Sequence, residues 1–299
     1  AKDADVVVCD FLTPAPNFEG LRLSCPVVLF QHNIESQIWK RLADTAGNAV
    51  KRAYLASQYR RMWRAEKELS EGFEGIITVS PEDSAFCREQ YQLRRVLGDV
   101  PTGVDVDAFQ PPARPAAAPV IGFLGSMDWM PNIDGVLWFA REVLPKVREQ
   151  MPEVRVKIIG RNPPASIRAL ASDPAIEVTG TVPEVQPHVH ECRVIAVPLL
   201  AGGGTRIKIF EAMAMGVPVI STTIGAEGLP VRHGEEIEIA DDAESFAKGT
   251  LKLLADAAVA SRMAANAREL MEQRFSWRFA ASKFVELCQQ AMDHQQRPS

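Results

Sequence analysis

Pro198-Leu-Leu-Ala-Gly-Gly-Gly-Thr-Arg-Ile-Lys-Ile-Phe-Glu-Ala-Met-Ala-Met-Gly216 joins the end of an apolar strand, Val194–Pro198, to a helix over 206–215, with another apolar strand, Pro218–Ser221, close behind. A strand, a glycine turn, a helix and a strand in that order form the unit of a parallel sheet with helical crossovers. Successive glycines let backbone N–H groups converge on an anion, and Thr205 is placed to cap a helix whose N-terminus carries partial positive charge. Arg206 and Lys208 add two cations to the same turn. Lys208 and Glu211 are three residues apart and share a helix face, so a carboxylate for ribose hydroxyls lies one turn from cations for a diphosphate. The plainer reading is a βα turn with a surface Lys208–Glu211 ion pair. Neither GxxxxGK[ST] nor a GxGxxG after a first strand is present, which excludes a P-loop and a dinucleotide fingerprint.

Working outward, the same alternation fills residues 119–272, with strands at Val120–Leu124, Arg155–Ile159, Ile176–Thr179 and Ile237–Ala240 and helices at Asn132–Glu149 and Val185–Cys192. This reads as a doubly wound α/β domain. Helical patterning continues over Ala243–Glu272, with a break near Asp256, and over Trp277–Met292. The Pro- and Ala-rich residues 110–118 read as a linker. Before it, strands Asp5–Cys9, Val27–Phe30 and Gly75–Val79 and one long helical stretch, Ser36–Glu71, form a partial domain over 1–109. Three strands are few for such a unit. The opening residues carry neither Met nor a signal-like apolar run, so the chain reads as beginning inside a longer product, with the activity of these 299 residues alone expected to be weak.

The composition, 46% hydrophobic and 24% charged with net charge −5, excludes disorder and gives no global attraction to nucleic acid. No apolar run is long enough to span a bilayer. Five cysteines without CxxC spacing argue against a disulfide framework or a zinc site and for a reducing cytosol. Asp105-Val-Asp107 resembles a metal-chelating DxD, but Gly-Val-Asp suits side chains bonded to a local turn. His188 and His190 point apart on a helix. Trp129, Trp138 and Phe139 have core-like spacing. Between Lys40 and Lys67 lie eight basic and two acidic residues interleaved with aromatic and apolar ones. That stretch is either a surface for anionic lipid or a lipid-diphosphate acceptor, at the inner face of the cell membrane, or a solvated helix face.

The segment GGGTRIKIFEAMAMGVPVIST resembles the signature of the retaining group 1 glycosyltransferases of GT-B fold, and bacterial exopolysaccharide transferases in particular. Phe123-Leu-Gly-Ser-Met-Asp-Trp-Met-Pro-Asn-Ile-Asp-Gly135, Ile159-Gly-Arg161, Val178-Thr-Gly-Thr-Val-Pro183, Gln31-His-Asn-Ile-Glu-Ser36 and Pro101-Thr-Gly-Val-Asp-Val-Asp-Ala-Phe-Gln-Pro111 agree with it in order. The resemblance implies two Rossmann-like domains around a cleft, a nucleoside-diphosphate-sugar donor, no bound cofactor or metal, and a glycan or lipid-linked acceptor. It implies that Glu211 binds ribose, that Arg206 and Lys208 hold the diphosphate, and that Gly204 and Thr205 donate to it. Arg161 and Val182 would border the base, Gly125 and Ser126 would face the cleft, and His32 would contact the transferring sugar. Helix 277–292 would return to the first domain. Two departures leave the sugar open: Gly203 stands where many relatives have a second glutamate, and the loop 126–132 lacks their basic pair. The alternative is a non-catalytic nucleotide-sugar-binding scaffold, or an epimerase- or hydrolase-like relative.

Overall fold

The computed structural model describes residues 3–44, 46–201 and 207–295. The chain divides into two compact units, residues 1–102 with 280–299, and residues 103–279. The Pro/Ala stretch 110–118 lies within the second unit.

The first unit holds strands β1 (Val7–Asp10), β2 (Val27–Gln31), β3 (Gly75–Thr78) and β4 (Val96–Asp99), in spatial order β1-β2-β3-β4 and all parallel. β4 is absent from the sequence reading. It is short and contains Gly98, and its support comes from a distant element: a Cβ on Gly98 would lie 3.2 Å from the Leu287 side chain. The single helix expected over 36–71 is two, α1 (Glu35–Asp44) and α2 (Ala49–Glu71). Asn48 starts the second, its side chain accepting from Lys51 N at 2.7 Å. Helix α3 (Pro81–Glu89) begins at the Ser80 cap, with proline in its first turn and Glu82 and Asp83 at its positive end.

A buried carboxylate ties these pieces together. Glu66, in the last two turns of α2 and fully buried, accepts from the backbone N–H of Glu35 (2.8 Å) and Ser36 (2.9 Å) at the start of α1. It also accepts from Gln31 at the end of β2 and from the Tyr91 hydroxyl, both at 2.5 Å. Burial pushes its pKa up, against the opposing pull of these hydrogen bonds.

The second unit carries strands β5 (Val120–Leu124), β6 (Arg155–Ile159), β7 (Ile176–Gly180), β8 (Val194–Val197), β9 (Val219–Ser221) and β10 (Glu238–Ile239). They form one parallel sheet in the order β10-β9-β8-β5-β6-β7, the doubly wound order whose direction reverses between β5 and β8. β5 and β8 are buried at every position, and alternate side chains feed two cores. Ile121, Phe123, Val194 and Ala196 face one core, whereas Val120, Leu124, Ile195 and Val197 face the other. The connecting helices are α4 (Met130–Trp138), α5 (Leu144–Gln150), α6 (Ala165–Arg168), α7 (Gln186–His190), α8 (Ile207–Ala214), α9 (Ala243–Ala255) and α10 (Ala257–Leu270). A π-helical turn, Phe139–Val143, separates α4 from α5. The break near Asp256 is real: that residue ends α9 and caps α10 through Ala258 N and Val259 N.

Helix α11 (Trp277–Gln295) closes the chain, and Leu287, Cys288 and Ala291 join Val28, Ile77 and Val100 in a core on one face of the first sheet. All five cysteines are buried and free. Among the described residues no helix is long and apolar enough to cross a membrane.

Replacing Glu66 by Ala strands several buried donors at once, and urea denaturation should show a loss of about 3 kcal/mol or more. Tyr91→Phe, which removes one donor to a charged acceptor, should cost about 2 kcal/mol.

Candidate functional site

In a parallel sheet all the strands' carboxyl ends lie on one edge, and ligands of open α/β sheets bind there, at the point where the strand order reverses. In the second unit that point lies between β5 and β8. Gly125 and Ser126 follow β5 directly, Arg161 follows β6, Val182 follows β7, and α8 with Lys208 and Glu211 follows β8. Gly204, Thr205 and Arg206 lie outside the described residues.

One hydrogen bond spans the reversal. Lys208 Nζ, in the first turn of α8, donates to Asn132 Oδ1 at 2.6 Å, and Asn132 Nδ2 donates to the Ser126 carbonyl at 2.7 Å. The loop after β5 and the helix after β8 are thereby held together, with the ammonium between them. The same ammonium lies 5.2 Å from the Phe123 ring centroid and 5.9 Å from that of Trp129. Trp129 is therefore more than core packing: it precedes α4, is 37% exposed, and offers its face to a cation. Trp138 and Phe139, in contrast, pack on Phe246. The sequence reading treats Asn132 as a place where a basic residue is lacking. The structure shows it orienting the cation supplied by α8.

Glu211 is half-buried one turn along α8, and no hydrogen bond or ion pair joins its side chain to a described residue. The plain Lys208–Glu211 ion pair is thus not what forms, because Lys208 turns to Asn132. Burial alone pushes the Glu211 carboxyl up. A desolvated carboxylate without donors, beside an oriented cation, is poised to accept hydrogen bonds from a ligand's hydroxyls.

The loops after β5 and β6 are pressed together, since a Cβ on Gly160 would fall 1.8 Å from the Gly125 carbonyl oxygen. Only glycine allows that approach. Arg161 Nε donates to Ser126 Oγ at 2.9 Å, and Ser126 Oγ donates to Asp128 at 2.5 Å. These bonds, with one from Asn162, hold the Asp128 carboxyl below its usual range. Asp128, unremarked in the sequence, thus shares Arg161 through Ser126. Val182 packs its side chain against one core of this unit.

In the first unit, His32 follows β2 at the same kind of strand end, and its Nε2 lies 2.7 Å from Asp10 Oδ1 at the end of β1. Glu35 is the first residue of α1 and donates its N–H to Glu66. Asp105 accepts from the backbone N–H of Asp107 (3.1 Å) and Ala108 (2.8 Å), the turn role expected of it. The basic stretch lies on α1 and α2. Lys40, Arg41, Lys51, Arg52, Arg60, Arg61 and Arg64 are exposed, and so are Ile38, Leu42, Val50 and Tyr54. Glu66 does not belong to that surface, because it is buried.

Two outcomes follow for Glu211 and Asn132. A carboxyl whose pKa is raised on folding penalises the folded state once ionised, so stability falls as pH rises through the window above the ordinary carboxylate value. Glu211→Gln should therefore raise the melting temperature of the ligand-free chain at neutral pH, and the gain should fade in acid. Asn132→Ala should weaken nucleoside diphosphate binding about 5–30-fold through loss of the Lys208 orientation, about 1–2 kcal/mol, read by calorimetry.

Residues 118–256 match the family model of group 1 glycosyl transferases. A 44.6 kDa protein from the cps region of Klebsiella pneumoniae is 22% identical over 252 residues, covering 82% of this chain and 63% of that one. The phosphatidyl-myo-inositol mannosyltransferase of Mycobacterium leprae is 27% identical over 197 residues, covering 62% and 52%. The chain thus spans 52–63% of the length of these curated relatives. Among solved structures, HepE of Anabaena in complex with UDP superposes with a TM-score of 0.65 at 17% identity, covering 89% of this chain and 72% of that one. The doubly wound second unit and the oriented cation beside Glu211 agree with these matches: residues 118–256 are a group 1 glycosyl transferase domain, carried on a chain of GT-B fold.

Proposed function

We propose that the protein transfers a sugar from a nucleoside-diphosphate-sugar to a glycan or lipid-linked acceptor, with retention of anomeric configuration and without a metal. The observation that carries this reading is the Lys208–Asn132 hydrogen bond across the strand-order reversal, with Glu211 desolvated one turn away. In this reading Glu211 accepts both ribose hydroxyls. Lys208 and Arg206 neutralise the diphosphate, with Gly204 and Thr205 donating to the same oxygens. Gly125 and Ser126 close the donor side and the Val182 backbone borders the base. Arg161 leaves Ser126 to stack on the base, a small rearrangement for a side chain that is 65% exposed.

As the sugar leaves, positive charge develops at its anomeric carbon and negative charge on the diphosphate. A fixed ammonium and a helix N-terminus act where that negative charge grows, and they need no reorganisation at the moment of reaction. Lys208 is held by Asn132 and by two aromatic rings, so it is oriented before the donor arrives. His32, on the first unit, is assigned to sugar hydroxyls. The solved HepE complex contains UDP, which makes a uridine diphosphate donor the first to test. The exposed cations of α1 and α2, interleaved with Val50, Tyr54, Ile38 and Leu42, support an anionic-lipid acceptor surface at the cytoplasmic face of a membrane.

A thermal-shift panel of UDP, GDP, ADP and CDP, with their sugars, tests the donor class. A ligand at 100 times its Kd should add about 2.7 kcal/mol. Glu211→Ala should weaken the stabilising nucleotide by about 1.5–3 kcal/mol. Lys208→Ala should weaken the diphosphate far more than the bare nucleoside. Equal loss for both ligands, or no nucleotide stabilising the chain, would overturn the assignment.

A further inference from the structure

The sugar side of the first unit contains a small polar and aromatic cluster that the assignment of His32 alone does not explain. Asp10 ends β1 and His32 follows β2, and the two strands are parallel neighbours with Asp10 opposite Phe30. His32 Nε2 lies 2.7 Å from Asp10 Oδ1. The His32 imidazole is sandwiched: the Phe11 ring stacks on it at 3.9 Å between centroids and 15° between planes, and Phe30 meets it at 4.4 Å, tilted by 52°. Phe11 is held in the left-handed region, at φ 70°, although it is a large residue 45% exposed to solvent. A bulky side chain rarely adopts that conformation, and residues kept in one cluster at functional sites. Neither the strain nor the exposed ring is accounted for by core packing.

A carboxylate only accepts hydrogen bonds, so the imidazole nitrogen that faces Asp10 must carry the proton. In the neutral ring this fixes the other nitrogen, Nδ1, as an unprotonated acceptor. Among the described residues Nδ1 makes no hydrogen bond. The ring remains partly accessible, with 30% of its side-chain surface exposed.

We propose that Asp10 and Phe11 are positioning residues that hold His32 in the Nε2–H tautomer, leaving Nδ1 to accept a hydrogen bond from a sugar hydroxyl. Asp10 sets the proton and Phe11 sets the plane of the ring. The outer face of Phe11 supplies an apolar surface for the C–H face of a pyranose beside that hydroxyl. This rests on the reading of the chain as a sugar transferase and adds to it the chemistry of the first unit's own site: a hydroxyl-accepting ring nitrogen whose partner nitrogen is held by a carboxylate.

Long-range nitrogen–proton correlation spectra of the full chain with isotopically labelled histidine, at a pH where imidazole is neutral, read the tautomer directly, and His32→Gln assigns the signal. The wild type should show Nε2–H. Asp10→Glu, whose carboxylate can only accept, should keep it. Asp10→Ala should lose it to a tautomer mixture, and because Asp10 is 62% exposed that variant should keep the fold. Phe11→Ala should reduce the ring-current shift of the His32 ring protons to the part that Phe30 supplies. Addition of a panel of methyl hexopyranosides should move His32 Nδ1 in the wild type and in Asp10→Glu, but not in Asp10→Ala. An Nδ1–H tautomer in the wild type, an unchanged tautomer in Asp10→Ala, or no response to any sugar would overturn the proposal. Nucleoside diphosphate titrated into the same samples reports on Glu211 and Lys208 separately, so failure of the donor reading is visible on its own.

Discussion

Every strand of both sheets runs parallel to its neighbours, and the placement of chemistry in this chain depends on that constraint. Parallel pairing requires each connection to cross over the sheet, so helices cover both faces and the strand interiors become largely apolar, with the buried Lys157 of β6 paired to Glu177 and Glu191 as an exception. Polar side chains that can meet a ligand then collect at the carboxyl ends of the strands and in the loops that follow them. Ser126, Arg161, Lys208 and Glu211 in one unit, and Asp10 and His32 in the other, occupy that edge. Where the strand order reverses, two loops diverge and leave room for a ligand. Lys208 and Asn132 bridge that gap in the second unit.

The sequence discloses whatever depends on short-range pattern. The glycine turn between an apolar strand and an amphipathic helix marks the second unit. Asp256 announces a helix break, because an Asp side chain competes for the first N–H groups of a new helix. The pairing of Lys208 with Glu211 on one helix face is equally legible, since it needs only the helical period. What that pairing becomes is not: the lysine takes a partner 76 residues away, and the glutamate is left desolvated. Asn132 itself has no local signature, because an asparagine near a helix start reads as a turn residue until the distant cation is placed beside it.

The same distinction explains the first unit. β4 is a weak strand by composition and exists because α11, from the far end of the chain, packs against Gly98. Glu66 sits in a run of charges on a long helix and reads as one more solvated side chain, yet it is the most deeply buried charged group of that helix. Asp10 is an ordinary acidic residue at a strand end. Its meaning comes from the adjacent parallel strand, which delivers His32 to it across a single strand spacing.

Glu66 also governs how the first unit comes apart. Its donors belong to the end of β2, the start of α1 and the segment after α3, so no one of these can leave without depriving a buried charge of part of its solvation. Partial opening is thereby penalised more than the few bonds broken would suggest, which couples α1, α2 and the Tyr91 segment to one another. A surface helix pair that would otherwise be the loosest part of the unit is coupled to the stability of the sheet beneath it. The positively charged face of α1 and α2 is therefore carried on helices anchored through Glu66 to the end of the β2 strand rather than on an isolated hairpin.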